Sequence, residues 1–318
     1  MIKTKITAII LCVITLITVM PTNANAVGDI ELKGYTIGIS DGIYLRYHIQ
    51  MSEESYNGGG YIRFTKSNGE ISEIDVSEGE KDAESGYYVY SCEVAAAEMT
   101  ERITAILYSE TGSIVKGFGR YSVREYAEEI LNGSEYVSEA KEAVKAMLNY
   151  GAYAQKYFGN TEIGLANEGI EDNVQSIDSI EKGYFINNAN VGGFRYVSTA
   201  LELCSRTVMY HYFRLDDGLD ISDFSFKFNG KDVTPTISEK NGVIRYEFKS
   251  QGIAPVNLSK AIGFVVYDAT GKYIGSLTYS PTHYLYLVIS NVNDNPELLD
   301  LAKAMYLYSE AVYAYYFV

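Results

Sequence analysis

Displaced by 158 residues, the sequence falls on itself. Tyr121-Ser122 meets Tyr279-Ser280, and Tyr126 meets Tyr284. With no gap, Glu139 meets Glu297, Lys145-Ala146-Met147 meets Lys303-Ala304-Met305, Tyr150 meets Tyr308 and Tyr157 meets Tyr315. One residue more aligns Val94–Gly112 with Ile253–Gly271, each an apolar run ending in Tyr before Thr-Gly. Farther upstream, Leu45–Met51 resembles Met209–Leu215. The identities are few, but their order and the near-absence of gaps argue against chance. The chain is therefore expected to hold two homologous repeats, residues 27–159 and 183–318, joined by an acidic linker over 160–182 that shows no clear period.

Each repeat opens with strand signals and closes with helical ones. In the first, "YTIGIS", "IYLRYHIQM", "YIRFTK", "ISEIDV", "YYVYSCEV", "RITAILYS" and "SIVKGFG" are apolar or alternating runs. They are punctuated by "SDG", "NGGG", "SNGE" and "ETGS"; in the second repeat "DDG", "NGKD", "EKNG" and "ATGK" play that part. Short strands at this spacing predict a sandwich. A short helix ("REYAEEIL") and a long one then follow. The long helix is expected from Ser138, as N-cap, to Phe158, with Gly159 as its stop. Its counterpart starts at Asn295-Pro296-Glu297, which supplies a cap, a first-turn proline and an acid at the positive end. The expected fold class is α+β: two Ig-like antiparallel β-sandwiches, each followed by a short and a long helix.

Export is legible at the N-terminus. Lys3 and Lys5 precede the apolar run Ile6–Met20, and Ala24-Asn25-Ala26 supplies small residues for cleavage, so residues 1–26 read as a signal peptide. Cys12 sits within the apolar run after Leu11, off the position a lipid-modified cysteine needs. A secreted protein is expected, surface-associated only by non-covalent retention and without membrane contact after cleavage. The formal net charge is −15, and it becomes −17 without the first 26 residues, which carry two Lys and no acid. That balance repels phosphate backbones, so no nucleic acid is expected as a partner. Cys92 and Cys204 then remain, too few for a disulfide framework. They are either one long-range bridge or two buried thiols, with the thiols favoured.

On the first long helix Ala140, Val144, Met147, Gly151, Ala154 and Phe158 recur at helical spacing, flanked by Ala143, Tyr150 and Tyr157. Gly151 costs about 1 kcal/mol against Ala in a helix interior, which asks for a close-packed neighbour. The last helix carries a second stripe, Tyr306, Tyr313 and Phe317, where the first has Leu148, Gln155 and Gly159. A helix apolar on two sides must be buried twice or lie at an interface. These three aromatics are the candidate binding residues, within a chain of 30 Tyr and no Trp.

No constellation announces catalysis. Gly38-Ile39-Ser40-Asp41-Gly42 matches the G-x-S-x-G pattern, but strand signals flank it on both sides and Ser-Asp-Gly is a hairpin turn. S-x-x-K occurs at Ser113, Ser138 and Ser179, which shows how little that pattern specifies. "NGGG" lacks the Gly-Lys-Ser/Thr of a phosphate loop. His48, His211 and His283 have no ligand spacing. Calcium is the one metal the acidic clusters Asp216–Asp223 and Asn291–Glu297 would suit, yet neither fits the hand-loop spacing, and turns and a helix cap account for both. Glu53-Glu54, Glu128-Glu129 and Asp216-Asp217 read as solvated faces rather than a glycosidase pair.

Taken together, "LKGYTIGIS", "YSVREYAEEIL", "VKAMLNYGAYAQKYFG", "HYFRLDDGLDISDFSFKFNGKDVTP" and "KAMYLYSEAVYAYYF" resemble a Tyr-rich module of large exported proteins of Gram-positive anaerobes, where it stands beside dockerin-type, Ig-like or wall-binding modules. The resemblance covers nearly the whole chain after residue 26. It implies export, a Gram-positive source and a surface-associated, modular role. It brings no assigned activity and therefore no functional residues. The expected function is a secreted, non-catalytic binding or accessory protein whose ligand is a glycan or a surface protein. The alternatives are a structural spacer and, behind it, a glycan-active enzyme.

Overall fold

The computed structural model of the protein describes residues 29–161, 164–203, 206–240, 242–291 and 295–317. Residues 1–26, expected as a signal peptide, Cys204 and residues 292–294 of the second acidic cluster lie outside the described residues. The fold is mixed, with antiparallel sheets and a few helices. It divides into two compact units. Among the described residues, one holds 29–37, Leu45–Cys92 and Arg102–Tyr121. The other holds Gly38–Tyr44, Glu93–Glu101 and those from Ser122 on.

All seven runs read as strands in the first half are strands. The order is β1 (Glu31–Gly38), β2 (Tyr44–Gln50), a short helix α1 (Glu53–Asn57), β3 (Tyr61–Thr65), β4 (Ile71–Asp75), β5 (Glu80–Lys81), β6 (Tyr88–Glu93), β7 (Ile103–Tyr108) and β8 (Ile114–Tyr121). The helix α1 and the two-residue β5 carry too little period to be read beforehand. The "NGGG" turn after α1 places Gly59 and Gly60 at positive φ, where a side chain would be strained. One sheet runs β1-β2-β6-β5 and the other β4-β3-β7-β8. Along β7, Ile103, Ala105 and Leu107 point inward in the period-2 pattern of a half-buried strand. Tyr47 of β2 meets Phe64 of β3, ring centroids 5.2 Å apart, and its hydroxyl donates to Ile103 O at 3.2 Å. Tyr35 stacks on Tyr121 at 4.2 Å and donates to Phe118 O at 3.0 Å. These two tyrosines are structural. The ring fills the core while the hydroxyl finds a backbone carbonyl.

From Ser122 the second unit continues with helices α2 (Val123–Asn132) and α3 (Ser138–Phe158). Strands β9 (Phe185–Asn187), β10 (Phe194–Leu203), β11 (Thr207–Leu215), β12 (Phe224–Phe228), β13 (Lys231–Val233), β14 (Thr236–Lys240), β15 (Val243–Lys249), β16 (Ile262–Asp268) and β17 (Tyr273–Tyr279) follow. Helices α4 (Pro281–Ser290) and α5 (Pro296–Phe317) close the chain. The strands form sheets β10-β11-β15-β14 and β13-β12-β16-β17-β9. Their shared core is a phenylalanine cluster. Phe213 stacks on Phe264 at 5.0 Å, and Phe226 meets Phe248 at 4.5 Å.

The expected helix ends hold with one correction. Gly159 closes α3 in the left-handed conformation (φ 73°), and Asn160 N–H reaches back to Gln155 O at 2.8 Å. Asn295 caps α5, its side chain accepting from Leu298 N–H at 3.0 Å. Ser138, however, is not the cap of α3. Val137 holds that position, and the Ser138 hydroxyl donates to Glu139 at 3.0 Å instead of accepting from the backbone.

The long helices α3 and α5 pack against each other. Tyr150 and Tyr308 stack at their crossing, 5.5 Å apart and 15° from parallel. Burial on α3 departs from the sequence pattern in two ways. Phe158, placed on the apolar face, is 54% exposed. Beyond that face Leu148, Asn149, Ala152, Tyr153 and Gln155 are buried as well. The cause is residues 164–176, in the stretch expected as a linker, which are fastened along α3. Ala166 N–H donates to the Gln155 side chain at 2.7 Å, Gln155 Nε2 donates to Gly164 O at 3.0 Å, and Asn149 Nδ2 donates to Glu171 O at 2.9 Å. Polar residues can be buried here because each one completes a backbone hydrogen bond.

Gly151 has the close neighbour it required. A Cβ there would lie 2.7 Å from Met99 Sδ and 3.1 Å from both Ala96 O and Ala166 Cβ. Gly151→Ala is expected to destabilise by about 1–2 kcal/mol, because overpacking outweighs the helix-propensity gain. Urea unfolding checks this, and a stabilised variant would refute the packing account.

Candidate functional site

The three candidate aromatics lie along one side of α5, at positions that spacing alone brings together. Their surroundings differ. Tyr306 is half-buried, and its hydroxyl is pushed above its ordinary pKa first by burial and then by Glu310 and Glu181. Tyr313 and Phe317 are 45% and 63% exposed and lie beside each other, centroids 5.1 Å apart and planes tilted by 35°. The stripe is therefore an exposed pair with a third, partly covered member. The part of α5 that packs is its other side, where Leu301, Ala302, Met305, Tyr308, Ser309 and Val312 are buried. Ser309 donates to Pro255 O at 2.8 Å.

Next to this stripe is an open cleft of about 310 Å³ between α3 and α5. Glu142, Lys145, Ala146 and Asn149 come from α3, Glu171 and Asn173 from the fastened segment, and Leu307, Glu310 and Ala311 from α5. Lys145 pairs with Glu142 at 2.8 Å. The Glu310 carboxyl is raised above its ordinary value by burial first and Glu181 second. At the floor, Asn149 gives its amide to Glu171 O and accepts from Asn167 Nδ2 at 2.9 Å. The cleft thus offers carboxylates, the Lys145 ammonium, the Asn173 amide and a small apolar surface. Its central amide is spent on the fold.

The other motifs have structural work. Gly38 ends β1 and residues 39–42 lie in the loop that leads to β2, not in a strand-to-helix elbow. Ile39 O accepts from the buried Tyr308 hydroxyl at 3.2 Å, and Asp41 faces Arg206 at 3.5 Å. Arg206 Nε also donates to Tyr44 at 2.7 Å, and Tyr44 donates to Glu93 at 3.1 Å. Nothing in local sequence marks Arg206 or Tyr44, since their contact spans 162 residues of chain. In the first acidic cluster, Asp216 is held by Arg195 through two bonds of 2.6 and 2.7 Å, and Asp220 caps a short turn by accepting from Ser222 N–H at 2.9 Å.

The histidines are dispersed. His48 bonds Thr36 at 2.9 Å, His211 bonds Thr199 at 2.8 Å, and His283 stacks on Phe185 at 5.1 Å. Burial lowers the pKa of all three. Among the described residues no group of three or more His, Cys, Asp or Glu side chains is placed to hold a metal ion. No helix among them is long and apolar enough to cross a membrane. Cys92 is buried, and Cys204, the other cysteine left after residue 26, lies outside the described residues. No family model matches the chain, and no curated protein matches it either.

Proposed function

We propose that the chain is an exported, non-catalytic binding protein made of two Ig-like sandwich-plus-helices repeats, with its ligand site at Tyr313, Phe317 and Tyr306. The exposed aromatic pair beside the α3/α5 cleft carries this reading. Several paired details support the duplication. The order β1-β2-β6-β5 opposite β4-β3-β7-β8 corresponds to strands A-B-E-D and C′-C-F-G of an immunoglobulin sandwich, and β10-β11-β15-β14 opposite β13-β12-β16-β17 corresponds likewise. Ser122 and Ser280 each cap a short helix, accepting from Glu125 N–H at 3.1 Å and His283 N–H at 3.3 Å. Arg124 N–H donates to Met99 O at 2.8 Å, and Thr282 N–H to Leu258 O at 3.0 Å. The Thr36–His48 and Thr199–His211 pairs have one spacing.

Export rests on the basic, apolar and small-residue segments of positions 1–26. The ligand is a glycan or a protein at the cell surface. The experiment takes the protein from culture medium, where its N-terminus is expected at Val27, and presents it to glycan arrays and to surface-protein pull-downs. A captured ligand should be lost at least tenfold in the Tyr313→Ala/Phe317→Ala double variant, with circular dichroism unchanged. Empty screens, or capture indifferent to the double variant, overturn the assignment. The spacer reading draws on a separate observation. Tyr47, Tyr90, Tyr150 and Tyr308 are buried, so the tyrosine excess alone does not require a ligand.

A further inference from the structure

Residues 29–121 hold a single cysteine, Cys92, so no disulfide can form within that stretch of chain. The same stretch holds pairs of tyrosine rings in near-parallel contact. Tyr35 of β1 and Tyr121 of β8 have centroids 4.2 Å apart and planes 11° from parallel. Their contact joins the first strand of the unit to its last, and β1 and β8 belong to different sheets. The Tyr35 hydroxyl donates to Phe118 O at 3.0 Å, which anchors its ring beside Tyr121. Both rings are half-buried. Coupling two such rings requires them to turn edge to edge, which a half-buried ring can do and a fully enclosed one cannot. The other stacked pairs lack one of these properties. Tyr56 and Tyr88 are 4.1 Å apart, but Tyr88 is 4% exposed. Tyr150 and Tyr308 are both buried. Tyr61 and Tyr108 stand farther apart, at 5.2 Å, and the Arg63 guanidinium lies 5.5 and 4.7 Å from their centroids. A cation there opposes the loss of an electron from either ring.

We propose that Tyr35 and Tyr121 are an oxidative cross-linking site, coupled to dityrosine by a one-electron oxidant of the peroxidase and hydrogen peroxide class. Each phenol gives up one electron and one proton. The two phenoxyl radicals join through the ring carbons ortho to their oxygens, forming one C–C bond. Each of those carbons then loses its hydrogen as a proton while its oxygen regains one, which restores both aromatic rings. Hydrogen peroxide takes up the two electrons and two protons and becomes two waters. The new bond ties β1 to β8 and constrains the unfolded chain as a long-loop disulfide does. Tyrosine is the aromatic side chain on which such oxidation settles, because the chain has 30 Tyr and no Trp to compete.

The test treats the protein, diluted to suppress contact between chains, with a peroxidase and hydrogen peroxide. An intact mass lower by two hydrogens, a monomer on a denaturing gel and dityrosine fluorescence, read without Trp background, are expected. A tryptic digest should join the peptide bearing Tyr35 to the peptide bearing Tyr121. Tyr35→Phe and Tyr121→Phe each keep the ring and remove one phenol, so either should cut the dityrosine yield at least tenfold. Tyr273 is 53% exposed and its hydroxyl pairs with Ser276, so Tyr273→Phe should leave the yield unchanged. Circular dichroism on every variant checks the fold. Absence of dityrosine overturns the proposal. So do cross-links that map mainly to other tyrosines or between chains. An equal yield of the Tyr35–Tyr121 link in the urea-unfolded chain also overturns it, because the fold would then not set the pairing.

Discussion

Tyr308→Ala is expected to destabilise the protein by about 3–5 kcal/mol, the range for emptying a fully buried aromatic site. Tyr308 is 1% exposed at the centre of the α3/α5 contact. Three things are lost together: its buried area, its stack on Tyr150, and the hydrogen bond to Ile39 O. Tyr308→Phe keeps the first two and strands the carbonyl, so it should cost only about 1–2 kcal/mol. A double-mutant cycle between Tyr150 and Tyr308 should return about 0.5–1.5 kcal/mol of coupling, the range for stacked aromatic pairs. Urea unfolding measures all of these. A Tyr308→Ala variant within 1 kcal/mol of wild type, against the ~3 kcal/mol minimum for such a truncation, would mean the helix contact collapses without cost.

Acid should unfold the protein earlier than its carboxylates alone would require. His211 is enclosed by Phe213, Phe228, Phe264 and Tyr279, and burial lowers its pKa to about 3. Below the ordinary histidine pKa the unfolded chain binds a proton that the native state refuses. Stability therefore falls as pH drops from about 6.5 toward 3, by up to about 1.4 kcal/mol per pH unit and roughly 3–5 kcal/mol in all. His48 and His283 are shifted in the same direction, also by burial. Asp216, held low by its Arg195 hydrogen bonds, protonates only below the ordinary carboxylate range, so the span from pH 6.5 to about 4 belongs mainly to the histidines. His211→Asn keeps a partner for Thr199 and removes the titration. Its unfolding free energy should fall less steeply across that span. Parallel pH profiles for the variant and wild type would refute the assignment.

Local features were read reliably because their causes are local. Each strand run in the first half carries its own alternation and ends at its own turn. Gly159 and Asn295 announce helix ends by chemistry that acts within a few residues. Even Gly151 signalled a close neighbour, because a helix bears its cost only for a packing reason. The errors begin where the cause lies elsewhere in the chain. Phe158 fits the apolar period of α3 yet is exposed at the last residue of the helix, since period alone does not bring a neighbour to cover it. Asn149 and Gln155 are polar yet buried, because residues 164–171 supply backbone partners for their amides.

The candidate site follows the same division. The spacing of Tyr306, Tyr313 and Phe317 on one side of a helix was determined by the sequence alone, since 3.6 residues per turn leaves no other arrangement. Which of them reaches solvent was decided only in three dimensions. Tyr306 is half-buried, while Tyr313 and Phe317 are exposed. The groove beside them is likewise a tertiary product, made from α3, α5 and the fastened segment. Periodicity reports which side of a helix is apolar, but not what comes to cover it, because covering is a long-range contact that no local spacing encodes.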